Sequence, residues 1–235
     1  MPLSRAEQDE IRHGAERFSL RPTEEQGAAL MRYLDLLMQW RAHARLVSQH
    51  QTRSDLVRKH LTDAFAAVRH LSGCRRIADI GSGAGLPGLP IAVLCPDVRI
   101  ALIEPNLRKA NFLREVIRQL KLANAVVVEA RVQDVAADIG EFDGVISRAV
   151  WALPEFLERV GCLIAFGGLV IAMKGPGVDE ELVATDLAAA GFSLQGVDRY
   201  HLQSGEGRAL VLLRRNVSRE TPSHRRKPVV RVRDG

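Results

Sequence analysis

The sequence contains few cysteines and few aromatic residues, and both shortages narrow the class of protein. Its three cysteines, Cys74, Cys95 and Cys162, are odd in number, far apart and without CxxC spacing. This pattern argues against a disulfide framework and against a metal site, and it favours a reducing cytoplasm. Aromatic residues make up only 5% of the chain, but the apolar fraction of 46% and the charged fraction of 26% are typical of a soluble globular protein rather than a disordered one.

Long hydrophobic runs are also absent. The longest nearly apolar stretch, residues 160–173, is interrupted by Gly167-Gly168 and is shorter than a membrane span requires. The first residues are charged, including Arg5, Glu7 and Arg12, and they lack the apolar core of a secretory signal. We therefore expect a cytoplasmic protein with no membrane partner.

Length and charge point to one large domain with additions. The chain has 235 residues and a formal net charge of +5. Residues 214–235 contain eight basic and two acidic side chains and therefore carry +6, whereas residues 1–213 sum to −1. A basic tail of this kind is attracted to phosphate backbones, although a solubilising end has the same composition. We treat residues 214–235 as a basic tail that is expected to be disordered.

The first part of the chain has helical periodicity. Residues 3–18 form a weak helical pattern, and a stronger helix is expected after Thr23, where Gln26 completes a capping-box pattern. A third helix is expected from residue 54, ending near Gly73. Residues 1–73 are therefore predicted to be a helical extension that packs on the main domain.

Residues 74–213 alternate between apolar strand patterns and helix patterns. Strands are predicted at 76–80, 98–103, 125–128, 142–147, 168–173, 192–197 and 209–213, and helices at 89–94, 106–120, 153–164 and 182–190. Such alternation indicates a parallel sheet covered on both faces. The last two strands have only a loop between them and can pair antiparallel. The predicted fold is α/β: a doubly wound, mostly parallel seven-stranded sheet with an antiparallel C-terminal hairpin.

The glycine-rich loop at residues 81–88 is the leading candidate for a binding site, because ligands of open α/β sheets bind beyond the carboxyl ends of the strands. Glu104 ends the next predicted strand, 19 residues after Gly85. A carboxylate in this place can accept hydrogen bonds from the two ribose hydroxyls of a nucleoside. Together, the loop and Glu104 predict a site for a nucleoside-containing cofactor.

Two cofactors fit the glycines. Gly83, Gly85 and Gly88 match the dinucleotide fingerprint and keep an NAD(P)-dependent oxidoreductase open. Prolines at 87 and 90, however, interrupt the helix N-terminus that a pyrophosphate requires. The same segment also fits a second pattern, in which the acidic residue Asp79 is followed by glycines at the alternate positions 81, 83 and 85. That pattern favours S-adenosylmethionine, which carries no phosphate.

The chain resembles the bacterial small-subunit (16S) ribosomal RNA guanine-N7 methyltransferases, the RsmG or GidB family. The resemblance covers about residues 25–213 and is carried by 81–90 (GSGAGLPGLP), 109–113 (KANFL), 142–149 (FDGVISRA), Lys174-Gly175, and two stretches of the helical lead-in, 33–40 and 56–63. It implies a Rossmann-like methyltransferase fold, S-adenosylmethionine as cofactor, and 16S rRNA or the small ribosomal subunit as partner.

The resemblance also implies roles for particular residues. It implies that Gly81 and Leu86 contact the cofactor, that Glu104 holds the ribose, and that Val132-Gln133 frame the adenine. It places Arg148 at the end of the fourth strand that faces the cofactor and the substrate. The full set of candidate cofactor residues is Asp79, Gly81, Gly83, Gly85, Leu86, Glu104, Val132, Gln133 and Arg148, with Arg148 and Lys174 as candidate contacts to a phosphate or to the cofactor carboxylate.

The expected reaction needs no catalytic side chain, because guanine N7 already has a lone pair and no proton; holding donor and acceptor in line is sufficient. We also expect His60 and Asp63, one helical turn apart, to meet and to support the floor of the cofactor pocket. Three alternatives remain open at this stage: a methyltransferase of another RNA or of a small molecule, an NAD(P)-dependent oxidoreductase, and a non-enzymatic RNA-binding protein.

Overall fold

The computed structural model describes residues 5–135, 139–148 and 150–217. Most of the predicted basic tail therefore lies outside the described residues, as does position 149 of the FDGVISRA segment. The helices are α1 (Arg5–Glu16), α2 (Glu24–Ala44), α3 (Arg53–Asp55), α4 (Thr62–Val68), α5 (Gly88–Leu94), α6 (Leu107–Leu120), α7 (Val132–Val135), α8 (Leu153–Val160) and α9 (Val178–Val183), with a π-helical segment at Leu56–Leu61. The strands are β1 (Arg76–Ile80), β2 (Arg99–Ile103), β3 (Ala125–Val128), β4 (Phe142–Arg148), β5 (Ile164–Lys174), β6 (Phe192–His201) and β7 (Gly207–Arg215).

The strands form one seven-stranded sheet in the order β3-β2-β1-β4-β5-β7-β6. Strands β1 to β5 run parallel to one another, and β7 lies between β5 and β6, antiparallel to both. The predicted fold class is confirmed, including the antiparallel C-terminal strands. The strand order reverses between β1 and β4, and this is the point where open α/β sheets bind ligands.

Both faces of the sheet are buried, as in other parallel sheets with helices on each side. Successive residues of β1 point to opposite faces, so Ile77 belongs to one hydrophobic cluster and Ala78 to the other. The N-terminal helices, α5 and α6 cover the first face, and α8 packs on the second. Tyr33 of α2 is fully buried, so the helical extension is part of the same core.

Helix α2 begins where the sequence predicts, whereas the next predicted helix is irregular. Thr23 accepts a hydrogen bond from the backbone N of Gln26, whose side chain accepts one from the backbone N of Thr23, so the predicted capping box is present. The third predicted helix is instead divided into α3, a π-helical turn and α4. Single π turns inside α-helices are frequent at functional sites, and this one carries His60.

Several predicted boundaries in the C-terminal half are wrong. Strands β6 (Phe192–His201) and β7 (Gly207–Arg215) are longer than the predicted 192–197 and 209–213. A helix was predicted at 182–190, but α9 ends at Val183, because the side chain of Asp186 accepts a hydrogen bond from the backbone N of Ala189 and stabilises a turn instead. The helix predicted to reach residue 164 ends at Val160. Strand β5 begins at Ile164 rather than 168, and its register with β4 shifts between Phe142 and Gly144, so the glycines 167–168 lie within the irregular part of the strand.

Within the described ranges no helix is both long and apolar enough to cross a membrane.

Candidate active site

The glycine loop after β1 has a backbone path that side chains would obstruct. Gly81, Gly83 and Gly85 all have positive φ angles, of 69°, 57° and 85°, a region that L-residues with side chains rarely adopt. A Cβ at Gly81 would lie 2.8 Å from Cγ2 of Val150, and one at Gly85 would lie 2.2 Å from Cδ1 of Leu89. The alternate glycines are therefore required by the shape of the loop.

Asp79 supports this loop from below. Its carboxyl group is buried at the end of β1, where Oδ2 accepts a hydrogen bond of 3.1 Å from the backbone N of Gly88 and Oδ1 has no partner. Burial raises the pKa of Asp79 to about 7. Asp79 faces Gly88 closely, since a Cβ at Gly88 would lie 2.6 Å from Oδ2. Its side chain holds the start of α5 against β1.

A first cavity of about 560 Å³ opens beside the loop at the carboxyl ends of β1, β2 and β4. Five of the nine predicted cofactor residues line it: Gly81, Glu104, Val132, Gln133 and Arg148. The other four do not line it; Asp79 lies beneath the loop, Gly83 and Gly85 form the loop backbone, and Leu86 is buried. The structure thus brings together residues that are far apart in the chain.

Glu104 is oriented by the backbone around it. Its Oε2 accepts a hydrogen bond of 2.8 Å from the N of Gly83, and its Oε1 accepts one of 2.9 Å from the N of Asn106. The carboxylate is buried at 5% exposure yet lines the cavity. Each oxygen retains a second lone pair, so Glu104 can accept from the two hydroxyls of a ribose without releasing the loop.

Several residues of the first cavity were not predicted from the sequence. They are Ile80, Ile103, Pro105, Lys109, Ala130, Arg131, Val150, Trp151 and Arg159. Most of them follow the carboxyl ends of β1 to β4, so the rule that ligands bind at this edge could have identified them. The guanidinium of Arg159 lies 4.9 Å from the centroid of the Trp151 ring, which closes one side of the cavity.

Arg148 lies at the centre of a buried polar network. Its Nη1 donates to Nδ1 of His60 at 2.7 Å and to Oδ2 of Asp63 at 3.3 Å, and the hydroxyl of Tyr200 donates to Oδ1 of Asp63 at 2.7 Å. His60 and Asp63 are thus both joined to Arg148, but neither lines the first cavity, so their support for the floor of the cofactor pocket stays a prediction. Tyr200 could not have been found by sequence spacing, because it is 137 residues from Asp63.

The protonation states in this network follow from burial. Burial and the nearby Arg148 charge lower the pKa of His60 to about 3, so its ring stays neutral and Nδ1 can accept from Arg148. Burial also raises the pKa of Asp63, against the opposing effects of Arg148 and of the Tyr200 hydrogen bond. Because Asp63 is itself held by the hydroxyl of Tyr200, its contact with the guanidinium of Arg148 fixes the direction of the Arg148 side chain.

A second cavity of about 590 Å³ lies on the other side of Arg148. It is lined by Gln51, Lys59, His60, Asp63, Arg148, Met173, Lys174, Gly175, Tyr200, Glu206 and Arg208. Arg148 borders both cavities, so a molecule bound in either one could reach its side chain.

Lys174 has partners within the protein. Its Nζ donates to the carbonyl O of Trp151 and to Oε2 of Glu181, both at 2.7 Å, and Oε2 of Glu181 also accepts from the backbone N of Leu153 at 2.8 Å. The ammonium thereby joins the end of β5 to the start of α8. The predicted contact of Lys174 with a phosphate stays a prediction, and two of its three donors already have partners.

The first cavity suits a sulfonium nucleoside better than a dinucleotide. The glycine cradle leaves space that a Cβ at Gly81 would reduce, and Glu104 presents acceptors for a ribose. At the start of α5, by contrast, the N of Gly88 donates to Asp79 and the N of Leu89 to the carbonyl of Gly85, while residue 90 is proline. The first turn of α5 therefore presents no free N–H group to a pyrophosphate.

Comparisons with known proteins agree with this geometry. A family model described as rRNA small subunit methyltransferase G matches residues 26–211. The chain is 39% identical over 173 residues to the ribosomal RNA small subunit methyltransferase G of Chromobacterium violaceum, covering 74% of this chain and 82% of the relative. It is 36% identical over 231 residues to the protein of the same name from Deinococcus radiodurans, covering 94% and 89%. Among solved structures, a precorrin-6y C5,15-methyltransferase from Geobacter metallireducens shares the fold, with a TM-score of 0.54, 16% identity, and coverage of 73% of this chain and 93% of that one.

Proposed function

Because the chain belongs to the rRNA small subunit methyltransferase G family, we propose that it transfers a methyl group from S-adenosylmethionine to N7 of a guanine in 16S rRNA. The observation that carries this proposal is the first cavity, where Glu104 is held by the backbone of Gly83 and Asn106 beside a loop that only glycines can form. We place the reaction in the cytoplasm, on the rRNA itself or on the small ribosomal subunit.

The cofactor would be held by residues of the first cavity. Glu104 would accept from the ribose hydroxyls, and the buried Val132 with Gln133 would frame the adenine. Gly81 would let the amino acid portion approach the backbone. When bound, S-adenosylmethionine supplies an electrophilic methyl group on a positively charged sulfur.

The protein's part in the chemistry is to position the two reactants. Guanine N7 needs no general base, so an acceptor held in line with the methyl group at near-attack distance is sufficient. A guanidinium hydrogen-bonded to N7 would occupy the lone pair that reacts. We therefore assign Arg148 to a phosphate or to the cofactor carboxylate, and we assign His60, Asp63 and Tyr200 to holding Arg148 in place.

The cofactor is tested by calorimetric titration with S-adenosylhomocysteine and, separately, with NADH. We expect binding of S-adenosylhomocysteine, and we expect Glu104→Gln to weaken it by about tenfold or more, because an amide NH₂ cannot accept from Gly83 or Asn106 and leaves one of these groups without a partner. Glu115→Gln makes the same change on α6, away from the cavity, and should leave the affinity unaltered. Binding of NADH without S-adenosylhomocysteine would refute the assignment.

The target is tested with a labelled methyl donor. Unmodified 16S rRNA, assembled small subunits and tRNA are incubated with the protein, and the modified base is identified by mass spectrometry. We expect label in 16S rRNA, free or assembled, as 7-methylguanine. Label in tRNA alone, or on another atom of the base, would contradict the proposed target while leaving the methyltransferase activity intact.

A further inference from the structure

The second cavity is lined by more positively than negatively charged side chains. Four cationic side chains line it, Lys59, Arg148, Lys174 and Arg208, against the two carboxylates of Asp63 and Glu206. Asp63 is turned inward to Arg148 and Tyr200, and Lys174 is paired with Glu181. The charges left at the mouth of the cavity are those of Lys59, Arg208 and Glu206.

These three side chains form a small cluster. Oε2 of Glu206 lies 2.8 Å from Nη2 of Arg208, and Oε1 of Glu206 lies 3.6 Å from Nζ of Lys59. The two cations come from distant segments, the π-helical turn and β7, and the single carboxylate bridges them. Glu206 is thus an ion-pair partner that Lys59 and Arg208 share.

The side chain of Glu206 lies at the surface of the protein. It is exposed and lies in the turn between β6 and β7, flanked by Gly205, with φ of 89°, and Gly207. The backbone of the turn is fixed, because the N of Leu202, which is buried, donates to the carbonyl O of Glu206 at 2.9 Å, but a Cβ at either glycine would meet no atom within 4 Å, so there is open space beside Glu206. The carboxylate can leave the two cations by rotation of the Glu206 side chain alone, at the modest cost of partly exposed ion pairs.

We propose that Lys59 and Arg208 form a binding site for a phosphate of the substrate RNA, and that the Glu206 carboxylate takes the place of this phosphate in the free protein. An RNA phosphodiester carries the same single negative charge as a carboxylate and offers oxygens to the same donors. The site rests on the proposed function, since it guides an RNA acceptor into the cavity that borders Arg148. Displacement of Glu206 exchanges its two internal ion pairs for contacts that also release counterions from the RNA.

The test measures binding of unmodified 16S rRNA over a series of salt concentrations. Glu206→Gln keeps the size and one acceptor of the side chain but removes its charge, so we expect RNA affinity to rise by about threefold at low salt. Arg208→Gln and Lys59→Gln should each weaken binding and lower the slope of log affinity against log salt by about 0.7 to 0.9, the loss of one phosphate contact. Affinity for S-adenosylhomocysteine should not change in any of the three.

Matched controls come from the ion pair between Glu115 and Arg118 on α6, outside both cavities. Glu115→Gln and Arg118→Gln change the net charge by the same amounts, so they report the effect of charge alone. If these variants alter RNA binding as much as their counterparts at 206 and 208, or if Glu206→Gln does not strengthen binding, the phosphate site is refuted.

If the wild-type protein methylates 16S rRNA but the phosphate-site variants behave like the controls, only this inference fails. If the Glu206 and Arg208 effects appear but the wild type does not methylate the rRNA, the proposed function fails instead; absence of rRNA binding by the wild type would overturn both.

Discussion

Asp79 illustrates how a side chain can belong to a site without lining it. It is fully buried, holds Gly88 through Oδ2 and leaves Oδ1 without a partner. An ionised carboxylate in such surroundings is costly, and burial raises the pKa of Asp79 to about 7. The acidic position before the alternate glycines was predicted as a cofactor residue, and its contact with Gly88 indicates that it acts through the shape of the loop.

The raised pKa predicts a pH-dependent stability. In the unfolded chain Asp79 has a pKa of 3.8, so between that pH and about 7 the unfolded chain has lost a proton that the folded chain keeps. The unfolded state binds fewer protons in this window, and its ionised carboxylate is solvated, so this group makes the fold less stable as the pH rises. Asp79→Asn cannot ionise; its stability relative to wild type should therefore increase by about 1.4 kcal/mol for each pH unit across the window.

The measurement is urea unfolding of both proteins from about pH 4 to 8. Asp97→Asn makes the same exchange at an exposed position and shows what the substitution itself contributes. A constant difference in free energy between Asp79→Asn and wild type across the window would show that Asp79 is ionised in the folded protein.

Helix α5 depends on the close approach of its own backbone, at Gly88, to side chains of strands β1 and β2. It has only seven residues, all but the last of them buried, and it begins at Gly88, directly above Asp79. A short helix of this kind gains little stability from its own hydrogen bonds and is held by packing. A Cβ at Gly88 would lie 2.4 Å from Cδ2 of Leu102 on β2.

Two glycine-to-alanine substitutions should therefore have opposite effects. Gly88→Ala must displace Leu102 or Asp79 and should lower the free energy of unfolding by about 1 to 3 kcal/mol. Gly27→Ala, in α2, meets no atom within 4 Å and should raise it by about 0.5 to 1 kcal/mol, because alanine loses less conformational freedom in a helix. Chemical denaturation measures both; a destabilised Gly27→Ala or an unaffected Gly88→Ala would contradict these contacts.

Most of the net positive charge of the chain lies in the tail after residue 217. Residues 218–235 contain six basic and two acidic side chains, a net charge of +4, so a chain that ends at Val217 has a net charge of +1 instead of +5. We propose that this tail adds long-range attraction to RNA, without sequence specificity, to the contacts made in the cavities.

Truncation after Val217 tests the tail. We expect the shortened protein to keep its melting temperature and its affinity for S-adenosylhomocysteine, because both cavities are formed by residues before 209. Its affinity for 16S rRNA at low salt should fall by about tenfold or more and depend less steeply on salt. Unaltered RNA binding in filter-binding assays would mean that the tail serves another purpose.

Local signals were sufficient to predict much of this architecture. The capping box at Thr23, the glycine loop and the alternation of strands with helices act over a few residues, and all three are present in the structure. The helix predicted at 182–190 failed for the opposite reason: its apolar spacing resembled a helix, but the side chains of Thr185 and Asp186 bond to nearby backbone groups and end α9 early. The π-helical turn at 56–61 gave no recognisable pattern.

Sequence reasoning alone thus predicted the fold class, the glycine loop and the position of Glu104 at the end of a strand, because backbone freedom and hydrophobic periodicity are properties of neighbouring residues. Tertiary structure decided which side chains share a cavity. Tyr200 reaches Asp63 across 137 positions, and Glu206 lies between Lys59 and Arg208 only because β6 and β7 fold back over the helical extension. Contacts of this kind depend on how packed elements meet in space, and no local pattern of residues encodes them.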